Sequence, residues 1–478
     1  MVKKLNRINV AVDRTRPVKV LQFGDGNFLR GFADWIIDIL NEKMNFNGDI
    51  QIVRPLRKGS NKKMDEQDGL YHVALLGLQN GQRISETRLI TCIADYIDPY
   101  ENRDAFLKAA ENPDLKFVVS NTTESGITFN SNDQDPGQTP DSFPGKVAVL
   151  LYQRYNAFKG DKSKGLIFLP CELIEKNGDF LKAIVLQYCS HWKLPSAFAQ
   201  WVEECNTFCN TLVDRIVPGF PKDTISEIEK KTGYEDNQVV SAEPFHLWAI
   251  EAPEEVRGLF PADKAGLSVK YVNDLTPYRT QKVRILNGAH TALTPVAYLR
   301  GLRTVRESVE DSYCGSFIKK VIFDEVIPTL DSPENELKQF ATDVLERFQN
   351  PFIRHELKSI ALNSISKFKV RVLPTLLEYH KRTGTLPANL IFSFAALIRF
   401  YKGEWKGESL PVSDSSEVMA FFNEVWKHKD TGHVAKSVLS NAALWGADLT
   451  KIDGLGELVT EELQSFNKMG EIVGDTVA

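Results

Sequence analysis

Two hydrophobic patterns follow one another in the N-terminal part of the chain. The residues over 18–23 predict a buried strand, and the apolar positions from 28 to 40 then recur every three or four residues, as in an amphipathic helix. Asn47-Gly48 indicates a turn before a second apolar segment over 50–53. This strand–helix–strand order predicts a βαβ unit with parallel strands.

The alternation of strands and helices continues to about residue 175. Further strands are predicted over 115–120 and 166–170, each followed by polar or turn residues. From about residue 180 the pattern becomes helical, and its clearest segments are 180–188, 194–215, 373–380, 386–401 and 418–428. We therefore predict an α/β fold: an N-terminal Rossmann-type, doubly wound domain over 1–280 and a mainly α-helical C-terminal domain over 281–478.

Composition excludes several classes of protein. Hydrophobic residues make up 42% of the chain and charged residues 25%, and the net charge is −5, so neither a nucleic-acid partner nor a disordered acidic tail is expected. The N-terminus has no apolar secretion signal, and the longest apolar run, 390–398, is far shorter than the ~20 residues of a membrane span. A cytoplasmic protein with no membrane partner is expected.

The cysteines do not predict a metal site. Cys205 and Cys209 are the one close pair among the six, and their spacing fits one face of the predicted helix over 194–215 better than a zinc site. Since no second pair completes a ligand set, reduced, buried thiols and no bound metal are expected.

A glycine turn, Gly24-Asp25-Gly26, separates the first predicted strand from its helix. Glycines at this position let the backbone approach a dinucleotide pyrophosphate closely. The usual Gly-x-Gly-x-x-Gly pattern is incomplete because Leu29 stands at the last glycine position. A tight turn explains the pair alone nearly as well, but its place in a βαβ unit favours nucleotide binding.

The cofactor's ribose contacts are less clear in the sequence. NAD sites often have an acidic residue after the second strand. Here Arg54, Arg57 and Lys58 follow it, which fits either a 2′-phosphate of NADP or a solvated basic loop. Asn121 and Thr122 follow a later strand and suit a nicotinamide ribose or, equally, a capped turn.

Lys282, Asn287 and His290 provide candidate chemistry within nine residues. A lysine can transfer the proton that accompanies a hydride, and an asparagine amide can donate to an alkoxide-like oxygen. Asn287 and His290 would share one face of a helix, and Lys282 precedes them. Such a triplet also arises by chance on solvated helices. With the glycine turn, however, it indicates metal-free hydride transfer, with the cofactor in the first domain and catalysis in the second.

Four motifs together resemble the mannitol dehydrogenase family of polyol-specific long-chain dehydrogenases. They are Gly-x-Gly-x-Phe-x-Arg, Lys-x4-Asn-x2-His, Val-Asp-Arg-Ile and Ser-Lys, present here as Gly24, Gly26, Phe28, Arg30, Lys282, Asn287, His290, 213–216, Ser366 and Lys367. The resemblance covers nearly the whole chain. It implies a Rossmann-type domain followed by a mostly helical domain, NAD as cofactor and no metal.

The resemblance also implies a role for each matched residue. Lys282 is expected to be the general acid/base, Asn287 to polarise the reacting oxygen and His290 to bind substrate hydroxyls. Lys367 and Asp214 are expected at the substrate. The residues expected to contact NAD are Gly24, Gly26, Asn27, Phe28, Arg30, Asn121, Thr122, Val213 and Asp214.

Longer phrases resemble one branch of the family, which acts on sugar acids. They are residues 21–30, 120–124, 170–174 and 286–293. Two departures from mannitol dehydrogenases agree with a small-molecule sugar-acid substrate: Leu173 stands where they have an asparagine, and Ser359 where they have an arginine. The cation that meets the carboxylate is left open among Lys367, Arg354, His355 and Arg371.

Three alternatives remain at the level of sequence. They are a reductase of another sugar acid, a hexitol dehydrogenase of the same family, and a catalytically silent nucleotide sensor. The departures at Leu173 and Ser359 weigh against the hexitol. A sensor need not keep Lys282, Asn287 and His290 together. The sequence does not determine the oligomeric state.

Overall fold

The computed structural model describes residues 2–12, 16–57, 62–123 and 125–471. Two residues of the segments discussed above, Lys58 and Glu124, lie outside these ranges. The chain divides into two compact units. One contains the residues up to Gly77 together with Gln82–Leu275, and the other contains Leu78–Gly81 together with the chain from Thr276 onward.

A six-stranded parallel sheet forms the centre of the first unit. Its strands in chain order are β1 (Val18–Phe23), β2 (Asp49–Val53), β3 (Ile93–Ile97), β4 (Phe117–Ser120), β5 (Ile167–Pro170) and β6 (Thr207–Phe208). Their spatial order is β3-β2-β1-β4-β5-β6, and every neighbouring pair is parallel. This is the strand order of a dinucleotide-binding Rossmann fold, so the predicted fold class is confirmed.

Alternate residues of β1 belong to different cores. Val20 packs into the apolar cluster that contains Ile36 and Leu40 of the helix Ala33–Lys43. Leu21, pointing the other way, belongs to the cluster with Leu150 on the opposite face. A strand buried on both faces needs apolar residues at successive positions, which explains the nearly continuous hydrophobic run.

Other elements of the first unit surround this sheet. Its longer helices are Ala33–Lys43, Arg103–Ala110, Phe143–Ala157, Asn177–His191, Ser196–Cys205 and Ile225–Thr232. The strands Tyr71–Gln79 and Gln82–Ile90 pair with each other, and Asn210–Asp214, Leu247–Glu251 and Val269–Val272 form a separate sheet. The sequence pattern did not predict β3 or the pair Tyr71–Gln79 and Gln82–Ile90.

The predicted helix over 194–215 is wrong in its second half. The helix ends at Cys205, and the chain continues as β6 and then as Asn210–Asp214, which pairs antiparallel with Leu247–Glu251. Asn206 stops the helix because its amide donates to Trp201 O (3.1 Å) and its Oδ1 accepts from Leu166 N (2.9 Å). Cys205 and Cys209 therefore do not share a helix face. All six cysteines are free, and all except Cys205 are buried.

The second unit is mainly α-helical, as predicted. Its longer helices are Gly288–Leu299, Ser312–Lys320, Glu334–Phe348, Ser364–Arg371, Leu373–Thr383, Ala388–Phe400, Ser416–Val425, Thr431–Leu439 and Leu455–Glu471. The apolar run at 390–398 lies in Ala388–Phe400, a helix buried in the core of this unit. In the described part of the chain, no helix is long and apolar enough to cross a membrane.

Candidate functional site

The glycine turn lies directly after β1 and combines one constrained glycine with one open one. Gly24 has φ +114°, a conformation that side chains disfavour, and its N–H donates to Val53 O (3.2 Å). Gly26 is exposed, and a Cβ built on it would have no atom within 4 Å. Both glycines line a cavity of about 420 Å³ at the carboxyl end of the sheet.

Arg30 stabilises the glycine turn through hydrogen bonds made by its side chain. Its side chain is buried, and it donates to Asp25 O (3.2 Å), Asn27 Oδ1 (2.8 Å) and Gln238 O (2.8 Å). Because all three hydrogen bonds are made to other groups of the protein, Arg30 stabilises the conformation of the turn. Its predicted contact with a pyrophosphate remains a prediction, as do those of exposed Asn27 and of Phe28, which stacks on Phe32.

A buried polar network under the turn was not predicted from the sequence. Gln22 donates to Gly24 O (3.1 Å), and the Tyr71 hydroxyl donates to Asp34 Oδ2 (2.8 Å). Asp34 is fully buried, and burial raises its pKa to about 7, against the smaller opposing effect of its hydrogen bonds. In the sequence, Asp34 is simply a polar residue within an apolar helix pattern.

The segment after β4 forms the facing wall of the cavity. Asn121 and Thr122 both line it. Thr122 donates through its N–H (2.9 Å) and hydroxyl (3.0 Å) to Glu172 Oε1, and Ser120 donates to Glu172 Oε2 (3.0 Å). Burial raises the pKa of Glu172, and these hydrogen bonds partly offset that effect. Glu172 thus fixes this wall, which the sequence alone did not reveal.

The basic residues after β2 are paired with acids. Arg54 forms an ion pair with Asp98, and exposed Arg57 one with Asp141 (2.7 Å). Buried Lys146 donates to Pro55 O (3.0 Å) and to Asp141 O (2.9 Å), and burial lowers its pKa to about 8. Because the described arginines already have carboxylate partners, this segment favours an NAD ribose over a 2′-phosphate.

The Val-Asp-Arg-Ile segment packs against the helix that follows the glycine turn. Val213 and Asp214 are buried at the end of the strand Asn210–Asp214. Arg215 donates to Gly31 O (2.8 Å), and its guanidinium lies 4.2 Å from the Trp35 ring centroid. Burial lowers the pKa of Arg215 to about 9. The structure therefore brings this motif beside the helix that follows the glycine turn, and the cofactor contacts of Val213 and Asp214 remain predictions.

Lys282 and Asn287 bound a single π-helical segment, Lys282–Asn287, between the α-helices Thr276–Gln281 and Gly288–Leu299. A π-helix bonds each residue to the one five positions on, so residues five apart stack on one face. Lys282 therefore shares a face with Asn287. Lys282 thus lies within a continuous helical run from Thr276 to Leu299, which the sequence pattern did not reveal.

His290 lies about one helical turn after Asn287, where aromatic and basic side chains surround it. Its ring stacks on Phe348 (centroids 4.1 Å apart) and meets His355 edge to face (5.1 Å). Its Nε2 is buried without a hydrogen-bond partner among the described residues. Burial, followed by the charges of His355, Arg347 and Arg371, holds the pKa of His290 well below its usual value. The imidazole is neutral at physiological pH.

Other predicted positions of the second unit have diverse surroundings. Lys367, on the helix Ser364–Arg371, is half-buried and donates to Ile360 O (2.9 Å). Ser359, where family members have an arginine, is exposed and donates to Glu356 O (2.7 Å). In the first unit, Leu173 is 59% exposed and offers no polar side-chain atom.

In the described chain, no group of three or more His, Cys, Asp or Glu is placed to hold a metal ion.

Comparison with known proteins agrees with this geometry. Residues 18–262 match the mannitol dehydrogenase Rossmann domain, and residues 274–467 match the mannitol dehydrogenase C-terminal domain. The chain belongs to the mannitol dehydrogenase family.

Similar proteins include two altronate oxidoreductases. That of Bacillus subtilis (strain 168) is 48% identical over 98% of this chain and 97% of its own length. That of Phocaeicola vulgatus is 47% identical over 98% of each chain.

Solved structures show the same fold. A substrate-free D-sorbitol dehydrogenase has a TM-score of 0.81 at 24% identity, covering 98% of this chain and 99% of its own. The Pseudomonas fluorescens mannitol 2-dehydrogenase complex with NAD and D-mannitol has a TM-score of 0.68 at 21% identity, covering 98% and 97%.

Proposed function

We propose that this chain is an NAD-dependent oxidoreductase that reduces D-tagaturonate to D-altronate, reversibly and without a metal. The observation that carries the proposal is the π-helical segment, which puts Lys282 and Asn287 on one face, with His290 one turn later. The names of relatives 48% and 47% identical over nearly the full length support this choice of substrate. The partner is a small-molecule sugar acid, and the proposed location is the cytoplasm.

The first unit fits a dinucleotide. Gly26 has open space where a side chain would be, and the adjoining cavity is walled by Asn121 and Thr122. A pyrophosphate needs this kind of unobstructed backbone approach. The acid partners of Arg54 and Arg57 favour NAD over NADP. Asp214, in the Val-Asp-Arg-Ile segment, is buried, and we assign it to contacts with both the cofactor and the substrate.

The second unit provides the groups that act on the substrate. Bound NADH supplies the hydride that adds to the keto carbon. The Lys282 ammonium gives its proton to the oxygen that becomes the new hydroxyl, so charge balances across the step. The Asn287 amide donates a hydrogen bond to the same oxygen as negative charge develops. The side chain of Asn287 has no hydrogen bond to the described protein that would compete.

His290 and Lys367 bind the substrate in this proposal. The buried Nε2 of His290 lacks a partner in the described part of the chain, and a substrate hydroxyl can satisfy it by donating or accepting according to the tautomer. Because the imidazole stays neutral, it orients the substrate without adding a second proton donor. Lys367 lies half-buried on a neighbouring helix and can donate to another hydroxyl.

A substrate panel tests the proposal. NADH oxidation is followed with tagaturonate, fructuronate and fructose in parallel, and then with NADPH in place of NADH. We expect tagaturonate with NADH to exceed the other combinations by at least tenfold in kcat/KM. Equal or greater activity with fructuronate or fructose would contradict the substrate and retain the family. No oxidation with any of them would favour a nucleotide sensor.

A further inference from the structure

Four cations were left open above as partners of a substrate carboxylate, and their surroundings distinguish them. Arg354 is already paired: its Nε lies 2.6 Å from Glu356 Oε1, and its side chain is 79% exposed. An exposed, paired guanidinium has little to gain from a second anion. Arg354 therefore has the surroundings of an ordinary surface residue.

His355 and Lys367 are also weaker candidates. Burial lowers the pKa of His355, which disfavours its charged form. The Lys367 ammonium donates to Ile360 O (2.9 Å), and burial, followed by the charge of Arg371, lowers its pKa against a smaller opposing effect of Asp414. Burial therefore disfavours the charged form of both groups, which makes each of them a weaker partner for a carboxylate than an arginine.

Arg371 differs from these three. It ends the helix Ser364–Arg371 and is half-buried, and its one hydrogen bond within the described chain is a long one, 3.5 Å from Nη1 to Thr291 Oγ1. No described carboxylate lies within ion-pair distance of it. A partly buried cation without a counter-ion is costly, and a bound anion offsets that cost.

The surroundings of Arg371 also connect it to the substrate groups. Thr291 directly follows His290, whose Nε2 lacks a partner, and the Arg371 charge is among those that act on this imidazole. Arg284, within the π-helical segment, donates to Val370 O and likewise has no described carboxylate partner. One guanidinium within the segment that carries Lys282 and Asn287, and one on the neighbouring helix, thus have no carboxylate partner among the described residues.

We propose that Arg371 is the specificity-determining residue that binds the carboxylate of the sugar acid, with Arg284 adding positive charge beside it. A guanidinium can hold a carboxylate through two parallel hydrogen bonds, which fixes the orientation of the sugar chain as well as its charge. The proposal rests on the proposed function, because it assumes a sugar-acid substrate.

The test compares Arg371→Met and Arg371→Lys with the matched control Arg354→Met. For Arg371→Met we expect the KM for tagaturonate to rise about 10- to 100-fold, with kcat within threefold, since hydrogen bonds to charged groups are worth roughly one to two powers of ten. Arg371→Lys should recover part of the loss because it restores the charge without the paired geometry. Arg354→Met should match the unaltered protein.

Two further measurements separate the possible causes. The NADH Kd and the melting temperature of each variant show whether the fold and cofactor site are intact. The neutral sugar tagatose, which has CH₂OH in place of the carboxylate, should be reduced equally well by the unaltered protein and by Arg371→Met. A KM for tagaturonate within twofold of the unaltered value would overturn the assignment, as would an equal loss with tagatose. If the unaltered protein does not reduce tagaturonate, the proposed function fails before any variant is compared.

Discussion

The glycine-turn region of the first unit and the π-helical region of the second differ in how the side chains assigned to them are hydrogen-bonded. Around the turn, the guanidinium of Arg30, the carboxylate of Glu172 and the amide nitrogen of Gln22 all bond to the protein itself. In the π-helical region, neither His290 Nε2 has a hydrogen-bond partner nor Arg371 a carboxylate partner among the described residues. The first region uses side chains to shape an open backbone, and the second leaves His290 Nε2 and the Arg371 guanidinium available for a ligand.

This difference indicates how each region acts. A cofactor that is bound by backbone groups beside an open cavity requires a rigid protein surface, and the internal hydrogen bonds supply that rigidity. Chemistry on a substrate requires donors and charges that are not already compensated. Substitutions should therefore act differently in the two regions, on cofactor affinity in one and on turnover or substrate affinity in the other.

The largest effect is expected for Lys282→Ala. Removing the proton donor should lower kcat about 10²- to 10⁴-fold, while the NADH Kd changes by less than about threefold. Stopped-flow measurement of NADH oxidation gives the rate, and fluorescence titration gives the Kd. Arg354→Ala is the control, since that side chain is exposed and paired with Glu356. A kcat for Lys282→Ala within fivefold of the unaltered value would exclude this lysine as the proton donor.

Gly26→Val should give the opposite pattern. The new side chain has no protein atom to meet, so the fold should persist, but it enters the space assigned to the cofactor. We expect the NADH Kd to rise about 10- to 100-fold, a loss of about 1.4–2.7 kcal/mol, which corresponds to one or two hydrogen bonds to the cofactor. Gly258→Val is the matched control because it too has open space around it, away from the cavity. Equal affinities for the two variants would contradict the placement of the cofactor.

Asp34→Asn should stabilise the protein in a pH-dependent way. The folded pKa of Asp34 is about 7 and its ordinary value 3.8, so the folded state binds a proton that the unfolded state has lost between these values. Stability contributed by protonated Asp34 is present below pH 4 and is lost as the pH rises to 7. The melting temperature of Asp34→Asn relative to the unaltered protein should therefore be higher at pH 8 than at pH 5, by about 2–8 °C.

The control for this prediction lies one helical turn further on. Asp38 is buried but paired with Arg88 (2.7 Å), so Asp38→Asn should lower the melting temperature at both pH values. If Asp34→Asn lost stability equally at pH 5 and pH 8, the raised pKa of Asp34 would be wrong.

The smallest effect concerns the choice between NAD and NADP. Asp141→Asn releases Arg57, which can then meet a 2′-phosphate. Because the pair is exposed, the expected gain in kcat/KM for NADPH relative to NADH is only about 3- to 10-fold. Adding Arg57→Gln to Asp141→Asn should cancel the gain. A gain that survives in the double variant would show that Arg57 is not the phosphate partner.

The sequence predicted the fold better than the details of the site. Hydrophobic periodicity revealed β1, β2, β4 and β5, because strands buried on both faces must be apolar. It missed β3, whose Asp95 and Tyr96 interrupt the pattern, and it extended one helix through β6, which has only two residues. Short strands are stabilised by their neighbours in the sheet, and a local pattern does not contain that information.

The same lack of long-range information limits the prediction of side-chain surroundings in the candidate site. The motifs identified Lys282, Asn287 and His290, but nothing in their spacing distinguishes a π-helical segment from an α-helical one. Glu172 and Asp34 were missed because their importance comes from burial beside partners 52 and 37 residues away in sequence, respectively. Of the four cations, Arg371 differs from Arg354 only in what surrounds it, which is a property of the fold.

Measuring the NADH Kd of Gly26→Val and Lys282→Ala side by side, together with tagaturonate turnover at saturating NADH, tests the account most directly. We predict that Gly26→Val weakens NADH binding at least tenfold and keeps most of its kcat, whereas Lys282→Ala binds NADH normally and loses at least a hundredfold in kcat. If both variants lost cofactor affinity and turnover in the same proportion, the division between a cofactor-binding turn and a catalytic π-helical segment would be wrong.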